Sequence, residues 1–390
     1  MREIYLDNAA TTKVDEKVVK VMIPYFTEKY GNASSLHLVG EEARRAIEEA
    51  RETIAKSLGA KYKEIIFTGS GTEANNFVTK GLFFANKNAN TGKNHIITSN
   101  IEHDCVLNSC KWLETQGAKV TYLDVDEKGF VNPEDVRKAI NDKTFLVSII
   151  HGNNEIGTIQ DLEAIGKICK EKGVLFHTDA CQSFTKTLLD VKKQNLDLVT
   201  LNAHKIHGPK GVGALYIRED IQKRIIPLLH GGGHEFKLRS STENVAGIVG
   251  FAKAVSLASF SYVKRMQKIR DKMIDEILKI PNTSLNGAVG DNRLCNNINV
   301  SFKNIEGEAI GGYLNVKGIC TSTGSACSSK SLEPSHVLLA LGMSPLEANS
   351  SIRVTLSRFN TDEEIDYFLK ELKNVVEKLR KMSPFKNENL

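Results

Sequence analysis

The stretch CTSTGSACSSKSLEPSH (residues 320–336) surrounds one thiol, Cys327, with small hydroxyl-bearing and glycine residues. A cysteine kept for packing normally sits among apolar side chains, where it behaves as a small inert hydrophobe. Cys327 has no such neighbours, and a thiolate in that setting is a nucleophile. Two further groups stand at the ends of apolar runs. Asp179 closes VLFHTDACQS, flanked by His177 and Gln182, and Lys205 follows the next run in LDLVTLNAHKIHGPKGVGALYI, just before a turn rich in Gly and Pro. Singly, such an aspartate can be a helix cap and such a lysine a solvated surface charge. The loop GSGTEANN (69–76) places glycines and a Thr-Glu pair at a helix start, where backbone N–H groups and the helix dipole can hold a phosphate. The same loop also reads as a capped structural joint. No Gly-Lys-Ser/Thr follows it, which excludes a Walker A nucleotide triphosphatase.

A lysine at one strand end and a carboxylate at the end of its neighbour is the pair that pyridoxal phosphate requires. The lysine forms a Schiff base, and the carboxylate keeps the pyridine nitrogen protonated so that the ring withdraws electrons. The wider sequence then carries a resemblance. In order along the chain, YLDNAATT, GNASSLH, GTEANN, IEHDCV, NNEIGTIQ, HTDACQS, AHKIHGPKGVGALYI, HGGGHEFKLRSST, STGSACSSKSLEPSHVL and SSIRVTLSRFNT resemble the motifs of cysteine desulfurases of the NifS/IscS type, in the class V aminotransferase group of fold-type I pyridoxal phosphate enzymes. Ten matches in order over nearly the whole chain are far more specific than any one of them.

The resemblance implies roles residue by residue. Lys205 would carry the cofactor, Asp179 would pair with its pyridine nitrogen, and Gln182 would hydrogen-bond its phenolic oxygen. His103 would stack over the ring and move protons. Asn154 would reach the cofactor's substituents or the substrate, and Thr72 and His204 would hold the phosphate. Arg353 would clamp the substrate carboxylate, with Asn32 of GNASSLH also on the substrate side, and Thr242 would serve the phosphate site of a neighbouring subunit in a homodimer. Asn202 stands where many relatives carry serine and can still donate to phosphate; Cys181 stands where threonine is frequent and is given no role. Other readings stay open: His103 as a helix cap, Arg353 as a surface ion pair, Thr242 as a turn residue.

The implied reaction takes L-cysteine to L-alanine, with Cys327 accepting the sulfur as a persulfide and passing it to an iron–sulfur scaffold protein or another acceptor. Slack around Cys327 then has a reason, because the same sulfur must reach the site and afterwards a partner. A selenocysteine lyase or a small amino-acid aminotransferase would share Lys205 and Asp179. A metal or redox protein built on His95, His103, Cys105 and Cys110, or on Cys320, Cys327 and His336, lacks the short paired spacing of a structural zinc site, so no metal is expected.

The elements that must position these groups follow from periodicity. From residue 64 onward, short β-branched runs alternate with amphipathic stretches at 72–86, 104–116, 133–140 and 161–172. That alternation predicts an α/β fold, a mostly parallel sheet covered by helices on both faces, with ligands at the strand C-terminal ends. After about residue 255 the rhythm changes to a long charged helix, two or three strands and a terminal amphipathic helix from 361. The expected division is therefore 13–255 as a large cofactor-binding α/β domain, with 1–12 plus 256–390 as a smaller α+β domain carrying the Cys327 loop. At 390 residues and 41% apolar content, the chain can bury cores of that size. A formal charge of +5, with both signs interspersed, leaves no nucleic-acid footprint. The first residues, MREIYLDNAATT, lack the apolar core of a signal peptide, and no window approaches a membrane span; a cytoplasmic enzyme is expected. The seven cysteines form no C-x-x-C pair and read as reduced thiols, Cys169 and Cys181 as packing residues.

Overall fold

The structure, a computed structural model, describes residues 3–324 and 333–383. Its strands are β1 (Ile4–Tyr5), β2 (Ile65–Thr68), β3 (His95–Ser99), β4 (Lys119–Leu123), β5 (Thr144–Ser148), β6 (Leu175–Asp179), β7 (Leu198–Asn202), β8 (Gly213–Ile217), β9 (Thr283–Leu285), β10 (Asn297–Phe302), β11 (Ile319–Cys320) and β12 (Ser351–Thr355). Seven of them form one sheet in the order β2-β8-β7-β6-β5-β3-β4. The run from β7 to β4 is parallel throughout, while β8 is antiparallel to both of its neighbours, β7 and β2. The expected mostly parallel α/β sheet is thus present.

Strand side chains alternate between faces, and both faces are buried, so the strands read as continuous apolar runs instead of alternating with polar residues. Phe67, Ile97, Val147, Phe176 and Val199 point to one side, where the helices Leu38–Leu58, Leu162–Lys172 and Val245–Ser256 cover them with Ile47, Ile54, Ile165, Ile248 and Phe251. Their neighbours Ile66, Ile96, Leu146, Leu175 and Leu198 point to the other, under Phe77, Val78 and Leu82 of the helix Gly71–Asn88 and Val106 and Leu113 of the helix Asp104–Thr115.

A separate apolar cluster gathers Ile298, Val300, Ile352 and Val354 from the antiparallel sheet β12-β10-β9 with Ile269 and Met273 of the helix Phe260–Leu278, and Phe368 and Leu372 of the helix Asp362–Met382. Ile4 and Leu6 belong to this cluster, and β1 pairs in parallel with β11. Residues 8–12 then run on as a strap. Asn8 donates to the Thr355 carbonyl at 2.8 Å, the Ala9 N–H to Thr355 Oγ1 at 2.9 Å, and Thr12 Oγ1 to the His204 carbonyl at 2.8 Å. The chain's first residues thereby tie β12 to the turn after β7. Among the described residues no single helix is long and apolar enough to cross a membrane.

Candidate active site

Because β8 alone runs the other way, β2, β3, β5, β6 and β7 all end on one edge of the sheet. The loops leaving them enclose a cavity of about 260 Å³. Ser70, Gly71 and Thr72 come from β2, His103 from β3, Ile150 and Asn154 from β5, Asp179 and Gln182 from β6, and Asn202, His204 and Lys205 from β7. Ala9 and Ala10 of the strap and Arg353 of β12 complete the wall.

Asp179 is 5% exposed and has two jobs. Its Oδ1 accepts from the Cys181 N–H at 2.9 Å, the turn-capping bond expected of an aspartate at a strand end, while Oδ2 accepts from Asn75 Nδ2 at 2.7 Å. Lys205 Nζ donates to the carbonyls of Ala9 and, at 2.6 Å, Ala10, and Gln182 Nε2 donates to the Ala9 carbonyl at 2.8 Å. The strap therefore collects the amine and the amide that flank the carboxylate.

Ser70 caps the helix Gly71–Asn88, its Oγ accepting from the Glu73 N–H at 3.1 Å. A Cβ at position 71 would lie 2.6 Å from Cys181 Sγ, so glycine there leaves that side chain its place. The result is a bare helix N-terminus opening on the cavity, beside Thr72 and Asn202. His204 Nδ1 meets Thr11 Oγ1 at 3.1 Å; burial, then the Lys205, Lys210 and Lys186 charges, push its pKa down to about 4, so the ring is neutral at physiological pH. His103 caps the helix Asp104–Thr115, Nδ1 accepting from the Cys105 N–H at 3.2 Å, and lines the cavity as well. Arg353, 2% exposed, donates through Nη2 to Asp7 Oδ1 at 2.9 Å and through Nη1 to the Asn154 carbonyl at 3.2 Å. Its Nε has no partner among the described residues, and the same holds for Asn75 Oδ1 and Asn202 Oδ1.

Two of the described residues singled out from the sequence are not brought to this cavity. Asn32 is exposed, its Oδ1 accepting from the Ser34 N–H at 2.9 Å, and Thr242 is exposed on the loop before the helix Val245–Ser256. Cys327 lies outside the described residues. One thiol is corrected. Cys169 is buried in the core, but Cys181, read as a packing residue, lines the cavity, because the Asp179 cap turns its side chain towards Gly71. Asn75, Cys105 and the Ala9 and Ala10 carbonyls belong to the site without having been given a role. Each lies inside a motif already quoted (GTEANN, IEHDCV, YLDNAATT), which is the only signal that could have found them. Among the described residues no group of three or more His, Cys, Asp or Glu side chains is placed to hold a metal ion.

The family described as Aminotransferase class-V matches residues 4–368. A protein named cysteine desulfurase IscS from Methanosarcina thermophila is 51% identical over 386 residues, covering 98% of this chain and 94% of the relative. The chain belongs to the cysteine desulfurases of the class-V aminotransferase family. Enzymes of that family depend on pyridoxal phosphate. A second cysteine desulfurase IscS, from Dictyoglomus turgidum, is 50% identical and covers 99% of this chain and 98% of the relative. Among solved structures, one described as a NifS-like protein superposes with a TM-score of 0.89 at 40% identity, covering 97% of this chain and all of that one (100%). Another, described as SspA in complex with cysteine, gives a TM-score of 0.82 at 40% identity, covering 92% of this chain and 100% of that one.

Proposed function

We propose that this chain is a pyridoxal-phosphate-dependent cysteine desulfurase of the cytoplasm. It converts L-cysteine to L-alanine and passes the sulfur, as a persulfide on Cys327, to an iron–sulfur scaffold or another acceptor protein. The observation that carries the reading is the meeting of the Lys205 amine and the Asp179 carboxylate in one cavity at the strand ends, in a chain half identical to named desulfurases.

The residues present fit the cofactor. A phosphate needs N–H donors and room for close approach, which the helix start at Gly71 and Thr72 supplies with Asn202 and His204 beside it. A protonated pyridine nitrogen needs a buried carboxylate held in place, and Asn75 and the Cys181 N–H hold Asp179. The Asn75 and Asn202 oxygens and Arg353 Nε, without partners among the described residues, are buried polar atoms of the kind a bound ligand satisfies. When bound, the cofactor withdraws electrons from the amino acid and makes its carbon–sulfur bond breakable.

The chain's own residues do the rest. Lys205 supplies the amine for covalent attachment, and the Ala9 and Ala10 carbonyls aim it. Gln182 would hold a substituent of the cofactor ring and Asn154 a cofactor substituent or the substrate, and His103 moves a proton between substrate and solvent. Arg353 binds the substrate carboxylate, braced on its far side by Asp7 and the Asn154 carbonyl. The Cys327 thiolate forms a bond to the substrate sulfur as the carbon–sulfur bond breaks; the electron pair stays with carbon and a proton completes alanine. Residues 13–255 form the cofactor-holding domain, and residues 1–12 with 256–390 form the domain that brings Arg353 and Cys327. Phe26 (64% exposed), Tyr30 (71%), Leu36 (87%) and Leu38 (82%) form an apolar stretch around Asn32 that a second copy of the chain covers in a homodimer, with Thr242 reaching the neighbour's phosphate site.

Mass spectrometry after incubation with cysteine tests the reading. One added sulfur atom is expected on the peptide containing Cys327. If Cys327→Ser still yields alanine and sulfide from cysteine and reductant at the parent rate, the nucleophile is another group.

A further inference from the structure

Cys105 sits in the cavity wall beside the histidine proposed to move protons, yet that reading gives it no part. Its sulfur belongs to a continuous chain of polar contacts. The Asn75 amide spends one N–H on Asp179 Oδ2 at 2.7 Å and the other on Cys105 Sγ at 3.1 Å. Cys105 Sγ in turn lies 3.1 Å from His103 Nδ1, and the Cys105 backbone N–H points at the same nitrogen at 3.2 Å.

The direction of each bond follows from what each atom can give. An amide NH₂ only donates, so Sγ is the acceptor from Asn75; the Thr72 hydroxyl also bonds to the sulfur and can serve as a donor, which leaves the thiol's single hydrogen to turn to His103. Burial, then the Asp179 charge, push the Cys105 thiol up to about 12, so it keeps that hydrogen at any pH at which the protein works. The backbone N–H is likewise only a donor. Two donors therefore converge on Nδ1, and a hydrogen on Nδ1 would face both of them.

We propose that Cys105 is a positioning residue for His103: its thiol and its backbone N–H together hold Nδ1 as an acceptor, so the neutral ring carries its proton on Nε2, the nitrogen left to the cavity. The N–H comes with any residue at 105, but the thiol hydrogen comes only with a side chain able to donate. Serine can take its place and alanine cannot. The same chain leads back through Asn75 to Asp179, so the carboxylate and the histidine are oriented by one set of bonds.

This inference rests on the desulfurase reading for its kinetic consequence but not for the ring's tautomer, and the two are measured apart. ¹⁵N solid-state NMR of the histidine-labelled protein reports the tautomer, with the His103 signals identified among the ten histidines by their loss in His103→Gln. The parent and Cys105→Ser should show an unprotonated Nδ1, and Cys105→Ala a mixture of tautomers. In steady-state alanine formation, Cys105→Ala should lose about fivefold in kcat with KM unchanged, the effect of one modest hydrogen bond, while Cys105→Ser stays within about twofold of the parent. A protonated Nδ1 in the parent overturns the proposal. So does a Cys105→Ala protein matching the parent in both measurements, or a serine variant as impaired as the alanine one. If the parent makes no alanine from cysteine, the desulfurase reading fails while the NMR result still decides the role of Cys105.

Discussion

Arg353 shows how much a single residue's surroundings add to its type. A buried guanidinium is costly unless its donors are met, and here Asp7 and the Asn154 carbonyl meet two sides while Nε is left over. Lysine at 353 would keep the charge but could not serve Asp7, the Asn154 carbonyl and a substrate carboxylate at once. Losing one charge-assisted bond of about 1.5–3 kcal/mol should raise KM for cysteine roughly 10- to 100-fold in Arg353→Lys, with the cofactor's visible absorbance unchanged. A KM equal to the parent's would show that the carboxylate binds elsewhere. At this scale the sequence was partly legible. Asp179, Lys205 and the loop at 69–76 could be singled out because a charged or Gly-rich position at the end of an apolar run is unusual. Arg353, His103 and His204 were legible only through the resemblance. For the Ala9 and Ala10 carbonyls the motif YLDNAATT marked the segment but not the role, since a backbone oxygen has no signature of its own until the fold brings a lysine to it. The plainer alternative for His103 turned out to hold as well: it caps its helix and lines the cavity with the same ring.

At the scale of elements, the alternation of β-branched runs and amphipathic stretches located the large sheet, because strands buried on both faces must be apolar along their whole length. Strand direction was not readable, as an antiparallel β8 has the same apolar pattern as a parallel one. The two-residue strands β1 and β11 are too short for any period. The segment before Thr242 was equally opaque. Glu235, Phe236 and Lys237 take left-handed φ values of 47°, 57° and 69°, a conformation that costs about 1–3 kcal/mol per non-glycine residue and persists only where surroundings enforce it. The enforcement is a buried pair: Arg51 Nη1 and Nη2 donate to the Glu235 carboxylate at 2.7 and 2.8 Å, and the Phe67 N–H donates to the same carboxylate at 2.7 Å. Removing one partner leaves an uncompensated buried charge, so Glu235→Ala should lose about 3–5 kcal/mol of unfolding free energy in urea. The double variant Arg51→Met, Glu235→Leu should recover much of that loss. A double variant no more stable than Glu235→Ala would mean that the turn itself, and not the stranded charge, sets the cost.

Over the whole molecule, burial of titratable groups should shape stability against pH on both sides of neutrality. Burial pushes His151, His177 and His207 down to about 4. Unfolded histidine binds its proton near 6.5, so between about 6.5 and 4 the unfolded chain takes up protons that the folded one refuses, and stability is lost as pH falls through that range. Glu102 acts in the opposite sense. It is fully buried next to His103, its Oε1 accepting from Ser99 Oγ at 2.7 Å and from the Ile150 N–H at 2.8 Å, and burial raises it from 4.5 to about 8. Between those values the folded state holds a proton that the unfolded state releases, so the stability Glu102 contributes is complete below about 4.5 and lost as pH rises to about 8. Below about 6.5 the two trends oppose each other; above it, of these four groups, only Glu102 is still titrating. Thermal melts at constant ionic strength should therefore show the parent's Tm declining from pH 6.5 to 8 relative to Glu102→Gln, whose amide oxygen can keep the same two bonds without a titrating proton. Parallel curves for the two proteins over that interval would mean that Glu102 is ionised in the fold, with a cation beside it that the described residues do not contain.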